Sequence, residues 1–131
     1  MHLIIDGYSE NQEILKDEDL LAKWLESYPA RIGMTRISTP YVVRYMGPEL
    51  HDWGISGFVF IAESHIGIHT FVERNYVNID VFSCKDFDAQ RAIEDFREGL
   101  QLVKLRSCLI DRDWPQPESV AVNPPGFTYH E

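Results

Sequence analysis

The stretch GISGFVFIAESHIGIHTFVERNYVNIDVFSC, residues 54–84, decides the fold of this chain. It contains three runs rich in β-branched, aromatic and other apolar residues, at 56–62, 66–73 and 76–83, and such runs are typical of strands. Only residues 74–75 separate the last two runs, which is short enough for a hairpin turn. The stretch therefore predicts consecutive antiparallel strands.

Segments on both sides of this stretch alternate between strand and helix patterns. HLIIDGY at residues 2–8 is an apolar run that predicts a strand. Leucine, tryptophan and tyrosine recur at spacings of three and four over 17–28, which predicts a helix, and Pro29 favours its ending there. Similar spacing predicts a helix over 86–100, and an apolar run at 102–110 predicts a last strand.

The complete element order indicates an α+β fold. Residues 34–46 have strand composition, but Pro40 within them favours an edge strand or an interruption. The order β-α-β-β-β-β-α-β favours a single domain over residues 1–131, a two-layer sandwich with an antiparallel sheet and two helices on one face. The other sheet face is then left for solvent or for a second copy of the chain. The last 21 residues hold four of the seven prolines and predict an extended tail.

Composition and charge exclude several classes of protein. The chain has 131 residues, 44% of them hydrophobic, which is enough for one core. Its 12 Lys and Arg against 21 Asp and Glu give a formal charge of -9, which disfavours nucleic acid and anionic membranes and favours cationic substrates. Its two cysteines, Cys84 and Cys108, fit no zinc pattern and favour a reducing cytoplasm. No signal peptide is visible, and the longest apolar stretch, 58–62, is too short to cross a bilayer.

A metal site is the first interpretation of the central stretch. His65 and His69 have the spacing of a metal-ligand pair on a helix. The segment has strand composition, however, and on a strand the two side chains share a face about 13 Å apart, at about 3.3 Å per residue. One metal ion cannot bridge that gap, so the sequence predicts no metal.

Nucleophilic chemistry is the second interpretation. Ser64 or Cys84 could act with a histidine base, but such a pair requires a hydrogen-bond contact that a sequence cannot show. The Gly-x-Ser-x-Gly motif of hydrolases is absent. A lone cysteine in a small α+β domain is more often a buried apolar side chain than a catalyst, so the residues alone favour a structural Cys84. Cys108, in an apolar strand, is assigned to the core.

The stretch as a whole resembles the S-adenosylmethionine decarboxylases, in particular the short bacterial and archaeal type. That family carries a Gly-x-Ser-Gly strand, then Glu-Ser-His and Ile-His-Thr, and then a hydrophobic-Asp-hydrophobic-Phe-x-Cys strand, and all of these motifs occur within residues 54–84. The run at 2–8 also matches its usual start, so the resemblance covers most of 2–110 in element order. It changes the expectation for His69 and Cys84 from structural to catalytic.

The resemblance implies that the chain is made as a precursor that cuts itself between Glu63 and Ser64. The Ser64 hydroxyl would attack the Glu63 carbonyl and form an ester. Elimination would then leave a β chain, 1–63, and an α chain, 64–131, that begins with a pyruvoyl group. In that scheme His69 takes the Cα proton in the elimination step.

The same resemblance gives roles to further residues. Ser56 matches a serine that supports processing by hydrogen bonding near the cut. Cys84 matches the residue that donates a proton after decarboxylation, and a thiol can serve as such an acid. Glu73 matches a glutamate near the substrate pocket, and Phe71 stands where a tryptophan is usual, so both are expected to bind substrate. His65, beside the cut, is assigned no catalytic role.

A covalent pyruvoyl cofactor derived from Ser64 suits the decarboxylation of an α-amino acid. Loss of carbon dioxide leaves a carbanion, and a ketone conjugated to an amide accepts those electrons once it forms an imine with the substrate amine. The resemblance further implies a homodimer of processed protomers. Together with the charge it predicts a cytoplasmic enzyme with a small, cationic, amino-acid-type substrate, and with neither nucleic acid nor membrane as a partner.

Departures from the family pattern leave the substrate open. Gly67 stands where Ser or Thr is usual, and Tyr41, Tyr45 and Trp53 are candidates for an aromatic that stacks on adenine. S-adenosylmethionine, whose decarboxylated form feeds spermidine synthesis, is the preferred substrate because Phe71 keeps an aromatic. The alternatives are arginine or ornithine, decarboxylated by the same pyruvoyl chemistry, or an unprocessed relative that only binds a polyamine or a partner subunit.

Overall fold

A computed structural model describes residues 1–112, which form a six-stranded sheet with helices packed against it. The extended tail was predicted for residues 111–131, and all but the first two of these residues lie outside the described part of the chain. Within residues 1–112 no helix has the length and apolar character needed to span a bilayer. In chain order the elements are β1 (His2–Ser9), α1 (Gln12–Leu15), α2 (Glu18–Arg31), β2 (Tyr41–Met46), β3 (Trp53–Ile61), β4 (Ser64–Phe71), a 3-10 turn (Val72–Arg74), β5 (Tyr76–Ser83), α3 (Ala89–Gly99) and β6 (Leu102–Ile110).

The strands lie in the order β2-β3-β4-β5-β1-β6, and every neighbouring pair is antiparallel. β2 to β5 follow one another in the chain and in the sheet. β1, the first strand of the chain, lies between β5 and the last strand, β6. The α+β class and the antiparallel sheet are confirmed, and β2, which follows Pro40 directly, is an edge strand as predicted.

The helix-covered face of the sheet carries the hydrophobic core. Alternate residues of each central strand point to it, for example Leu3 and Ile5 of β1, and both are fully buried. α2 and α3 close this face with Leu25, Tyr28 and Phe96, and the rings of Tyr28 and Phe96 lie with their centroids 4.7 Å apart. Burying one such side chain contributes about 1.5–3 kcal/mol. Both long helices therefore lie on one face of the sheet, as predicted.

α2 continues three residues past Tyr28, although Pro29 was expected to end it. The expectation is wrong because tertiary contacts outweigh the local bias against a helical residue before proline. Tyr28 is buried against α3, its hydroxyl donates to Asp95 at 3.3 Å, and the Arg31 guanidinium pairs with the same carboxylate at 3.0 Å. Burial and the charge of Asp95 raise the pKa of the Tyr28 phenol above its ordinary value.

The opposite side of the sheet, called the open face below, is not covered by any helix of residues 1–112. Large aromatic side chains remain accessible on it, with Tyr41 61% and Phe60 49% exposed, and such surface is typical of interfaces. Cys108 was expected in the core, but it is exposed on this face. It pairs with Ile4, which lies between the core residues Leu3 and Ile5 and therefore points to the open face. Residues that pair across neighbouring strands form rows on the open face, each running across the sheet at right angles to the strands (transverse rows). One transverse row consists of Phe60, His65, Phe82 and His2. Another consists of Ser56, His69, Asn78, Asp6 and Arg106.

Candidate active site

A tight turn brings the predicted cut site and Cys84 together. β3 ends at Ile61 and β4 begins at Ser64, so only Ala62 and Glu63 connect these strands. The backbone N–H of Cys84, directly after β5, donates a hydrogen bond to the Glu63 carbonyl oxygen at 3.0 Å. The carbonyl group that Ser64 would attack therefore accepts a hydrogen bond from one backbone N–H, the type of donor that oxyanion holes use.

The segment after α2 fixes the same turn from its other side. The Glu63 carboxylate accepts a hydrogen bond from the backbone N–H of Thr35 at 3.2 Å. The N–H of Ala62 donates to the Thr35 carbonyl oxygen at 2.8 Å. Glu63 is thus held through its side chain by one segment and through its carbonyl by Cys84, so the Glu63–Ser64 peptide has little freedom to turn.

His69 and Ser56 form a second group on the open face. They lie opposite each other on β4 and β3, and His69 Nδ1 is 2.9 Å from the Ser56 hydroxyl oxygen. Both were expected in the processing reaction, and this hydrogen bond joins them. Neither reaches Ser64 in the same chain, because His69 lies five residues further along β4, about 16 Å away at about 3.3 Å per residue.

The two histidines of β4 are also separated from each other. His65 and His69 both belong to the open face, four residues apart, as the strand interpretation predicted. Among residues 1–112 no group of three or more His, Cys, Asp or Glu side chains is placed to hold a metal ion. The described part of the chain therefore offers no set of side chains that would support the metal interpretation.

A pocket of about 190 Å³ lies beside the His69 group. Its walls include Tyr45, Trp53, Ser56 and Phe71. Aromatic faces of this kind suit a flat ring system. The pocket's volume is below the range of about 300–1,000 Å³ that is usual for ligand pockets.

Glu73 lies beyond the end of β4, where its carboxylate contacts Trp53. The Trp53 indole Nε1–H donates to Glu73 Oε1 at 3.1 Å, and the Arg44 guanidinium lies 4.4 Å from the centroid of a Trp53 ring. A cation over an indole face is worth about 0.5–1 kcal/mol at exposed sites. Sequence reasoning proposed Glu73 and Trp53 separately and missed Arg44, because the register between β2 and β3 decides which side chains meet.

A charged group that sequence reasoning missed lies in the same transverse row as His69. Asp6 accepts hydrogen bonds from Asn78 Nδ2 at 2.6 Å and from Arg106 Nε at 2.9 Å. Desolvation alone would raise the pKa of Asp6, but these two donors and the Arg106 charge outweigh it and hold that pKa below its ordinary value. The period-two pattern of β1 places Asp6 opposite the core, but its partners are defined only by the pairing of β1 with β5 and β6.

Comparison with known proteins identifies the family of the chain. A sequence model of the S-adenosylmethionine decarboxylases matches residues 1–113. The chain belongs to this family. A curated S-adenosylmethionine decarboxylase proenzyme from Archaeoglobus fulgidus is 29% identical over 112 residues, which are 85% of this chain and 95% of that protein. One from Clostridium botulinum, strain Loch Maree, is 32% identical over 100 residues, which are 76% of this chain and 81% of that protein.

A solved structure extends the agreement to the fold. The crystal structure of the adenosylmethionine decarboxylase from Aquifex aeolicus superposes with a TM-score of 0.72 at 26% identity, and the match covers 90% of this chain and 93% of that one. The resemblance seen in residues 54–84 is therefore confirmed as membership of the S-adenosylmethionine decarboxylase family, whose enzymes are carboxy-lyases.

Proposed function

We propose that this S-adenosylmethionine decarboxylase family member cuts itself between Glu63 and Ser64 and then decarboxylates S-adenosylmethionine. The observation that carries the proposal is the hydrogen bond from the Cys84 N–H to the Glu63 carbonyl oxygen. It supports attack by Ser64 because it stabilises the negative charge that develops on that oxygen. The name proenzyme, carried by the relatives from Archaeoglobus fulgidus and Clostridium botulinum, also supports a precursor that is cut.

The surroundings of Ser64 fit a pyruvoyl group at the start of the new chain. Such a group supplies an electron sink for the carbanion that decarboxylation leaves. Ser64 is half-buried at the first position of β4, opposite Ser83, and the exposed Cys84 is the next residue after Ser83. Cys84 is thus next to the partner residue of Ser64 in the sheet, which supports its thiol as the group that returns a proton to the substrate carbon, the role of its family match.

A homodimer through the open face would bring His69 and Ser56 to the cut. Within one chain they lie about 16 Å from Ser64, too far for any proton transfer. Gly67 lies about midway along β4 between the two groups. Suppose that two copies pack with their open faces together, around a two-fold axis that lies between the sheets and passes over Gly67. The His69 end of β4 in one copy then faces the Ser64 end of β4 in the other. The same packing would cover the exposed ring of Phe60.

This arrangement assigns the two groups to successive steps. The Ser64 hydroxyl attacks the Glu63 carbonyl carbon, and the peptide bond becomes an ester. His69 of the second copy, oriented by its hydrogen bond to Ser56, then removes the Cα proton of residue 64 in the elimination. The cut thus depends on both copies, because each supplies the nucleophile for itself and the later base for its partner.

S-adenosylmethionine suits the pocket better than arginine or ornithine does. Tyr45, Trp53 and Phe71 line it, and a purine gains more from aromatic faces than an alkyl chain does. Glu73, oriented by Trp53, offers carboxylate oxygens to sugar hydroxyls. The formal charge of -9 favours a cationic substrate. The product would feed spermidine synthesis, and two free cysteines suit a cytoplasmic enzyme.

The intact mass of the purified, denatured protein tests self-cleavage. We expect two chains divided between residues 63 and 64, with the second chain lighter by one ammonia than a peptide that begins with serine. A single unbroken chain after long incubation would contradict the proposal.

Release of carbon dioxide from carboxyl-labelled substrates tests the specificity. We expect label from S-adenosylmethionine, and none above background from arginine or ornithine at equal concentration. Faster release from either amino acid would favour the alternative decarboxylase. Cleavage without release from any of the three would contradict the proposed activity while leaving the cut established.

A further inference from the structure

His65 lies beside the nucleophile and takes no part in the steps above. Its Nδ1 is 3.4 Å from the Ser64 hydroxyl oxygen. Among residues 1–112 it is the one titratable side chain in hydrogen-bond contact with Ser64. His69, the histidine of the elimination step, lies about 16 Å away in the same chain. A base for the first step is therefore present next to Ser64 without a second copy.

Ring packing holds the His65 imidazole on the open face. Phe82 is its partner on β5, and the two rings meet edge to face with their centroids 5.5 Å apart. His2 packs on the same Phe82 ring at 5.3 Å, and the Arg112 guanidinium lies 4.3 Å from its centroid. Phe82, contacted from three sides, limits the rotation of His65 away from Ser64.

The attack on Glu63 needs such a base. A serine hydroxyl is a weak nucleophile until a neighbouring group takes its proton. A base must lie within about 2.6–3.2 Å of that oxygen, and the contact is often looser before the reacting complex forms. Here His65 Nδ1 lies 3.4 Å from the attacking oxygen, a looser contact of this kind, and the Cys84 N–H donates at 3.0 Å to the carbonyl oxygen under attack. The attack requires a base at the Ser64 hydroxyl and a donor at the Glu63 carbonyl, and His65 and Cys84 supply them.

We propose that His65 is the general base, and then the general acid, of ester formation; this rests on the self-cleavage proposed above. Its Nδ1 accepts the Ser64 hydroxyl proton as the oxygen bonds to the Glu63 carbonyl carbon. The bond from that carbon to the Ser64 nitrogen then breaks, and the imidazolium returns the proton to this nitrogen. The products are an ester and a free amine, with no net gain or loss of protons. His69 acts only in the elimination that follows.

A cleavage time course of the His65→Ala variant tests this role. The full chain is made in a short cell-free synthesis, and the uncut precursor is followed by intact mass from the start. We expect cleavage about 100-fold slower than in the wild type, the usual scale of general acid–base catalysis. Added imidazole should restore part of the rate, because a free base can occupy the space that the ring leaves.

His51→Ala is the matched control. His51 is an exposed histidine that pairs with Glu49 in the loop before β3, at the opposite end of that strand from the cut. This variant should be cleaved at the wild-type rate.

Hydroxylamine separates ester formation from elimination, since it cuts an ester and leaves a peptide bond intact. The His65→Ala precursor should stay whole in hydroxylamine, because little ester forms. The His69→Ala precursor should be cut, giving a second chain that begins with serine, because its ester forms and is not eliminated.

Three results would overturn the role of His65: wild-type cleavage in His65→Ala, an ester that hydroxylamine cuts in this variant, or slow cleavage that imidazole does not raise. If His65→Ala does not fold, His65→Gln decides, since it keeps a polar side chain without a basic nitrogen. Slow cleavage of a folded His65→Gln supports the role, and a wild-type rate overturns it. An uncut wild type would instead contradict self-cleavage itself.

Discussion

The two faces of the sheet are built from the same strands and differ in almost every other respect. On the helix-covered face, Val77, Ile79 and Val81 of β5 are fully buried aliphatic residues. Between them, on the open face, Asn78 and Asp80 are polar and hydrogen-bond to side chains of β1. One step along a strand thus separates the core from the polar row that holds His69. Stability and reaction can therefore be altered separately, by substitutions at alternate positions.

Phe96→Ala, in the core on the helix-covered face, should have the largest effect on stability. Phe96 is fully buried between the helices and packs on Tyr28 and Trp24. We expect the free energy of unfolding, measured with denaturant, to fall by about 3–5 kcal/mol, because a large cavity replaces the ring. Molecules that remain folded should still be cleaved. Leu50→Ala, at a 96% exposed loop residue, is the control and should cost less than about 0.5 kcal/mol. Similar losses in both variants would contradict the contribution of Phe96 to the core.

Cys84→Ala should separate what the backbone of this residue does from what its side chain does. The N–H that contacts Glu63 remains in the variant, so self-cleavage, followed by intact mass, should change little. The thiol is lost, so decarboxylation measured by labelled carbon dioxide should fall by about 100-fold. Cys108→Ala, at the other exposed cysteine, should change neither rate. If cleavage falls as far as decarboxylation does, the backbone contact is not what supports the cut.

Gly67→Leu tests whether the open face is the interface between two copies. A Cβ at Gly67 would have the Gly57 carbonyl oxygen, 3.9 Å away, as its nearest neighbour, so the chain itself has room for a side chain. Between facing sheets, the same side chain would hold the copies apart. We expect a monomer in sedimentation and cleavage slower by about tenfold or more, because His69 is displaced from its target. Lys23→Leu, on the exposed surface of α2, should remain dimeric, and a dimeric Gly67→Leu would contradict the interface.

Asp6→Asn should give the smallest effect, on the pH dependence of stability. The pKa of Asp6 is lowered in the folded chain, so its charged form contributes stability above the unfolded value of about 3.9. That contribution is lost as the pH falls through the lower, folded pKa. The variant lacks it, so its unfolding free energy should decrease less than that of the wild type between about pH 5 and pH 3. Equal decreases in both proteins would show that Asp6 gains nothing from Asn78 and Arg106.

Local patterning was sufficient to predict most of the fold. Runs of β-branched, aromatic and other apolar residues located every strand of the sheet, because strand composition can be recognised within a single segment. Helix ends and strand starts were less predictable. α2 continues through Pro29 because Asp95 of another helix holds Tyr28 and Arg31. β3 begins at Trp53, ahead of the predicted Ser56, because pairing with β2 continues that far.

The candidate site was predictable as a set of residues and not as an arrangement. Motif resemblance selected Ser64, His69 and Cys84, and strand spacing alone separates the first two. The contact between His69 and Ser56 required the register of β3 against β4. The contact of His65 with Ser64 was not expected, because neighbouring residues of a regular strand point to opposite faces. It arises at the first residue of β4, where the chain leaves the turn.

The position of β1 has a consequence for the fate of a cut chain. A break after residue 63 would leave β1, β2 and β3 on one fragment and β4, β5 and β6 on the other. The fragments would still share three seams of backbone hydrogen bonds, β3 with β4, β5 with β1, and β1 with β6. Because β1 pairs on both sides with strands of the other fragment, the halves are held together along both of its edges. Their separation would require all three of these seams to open.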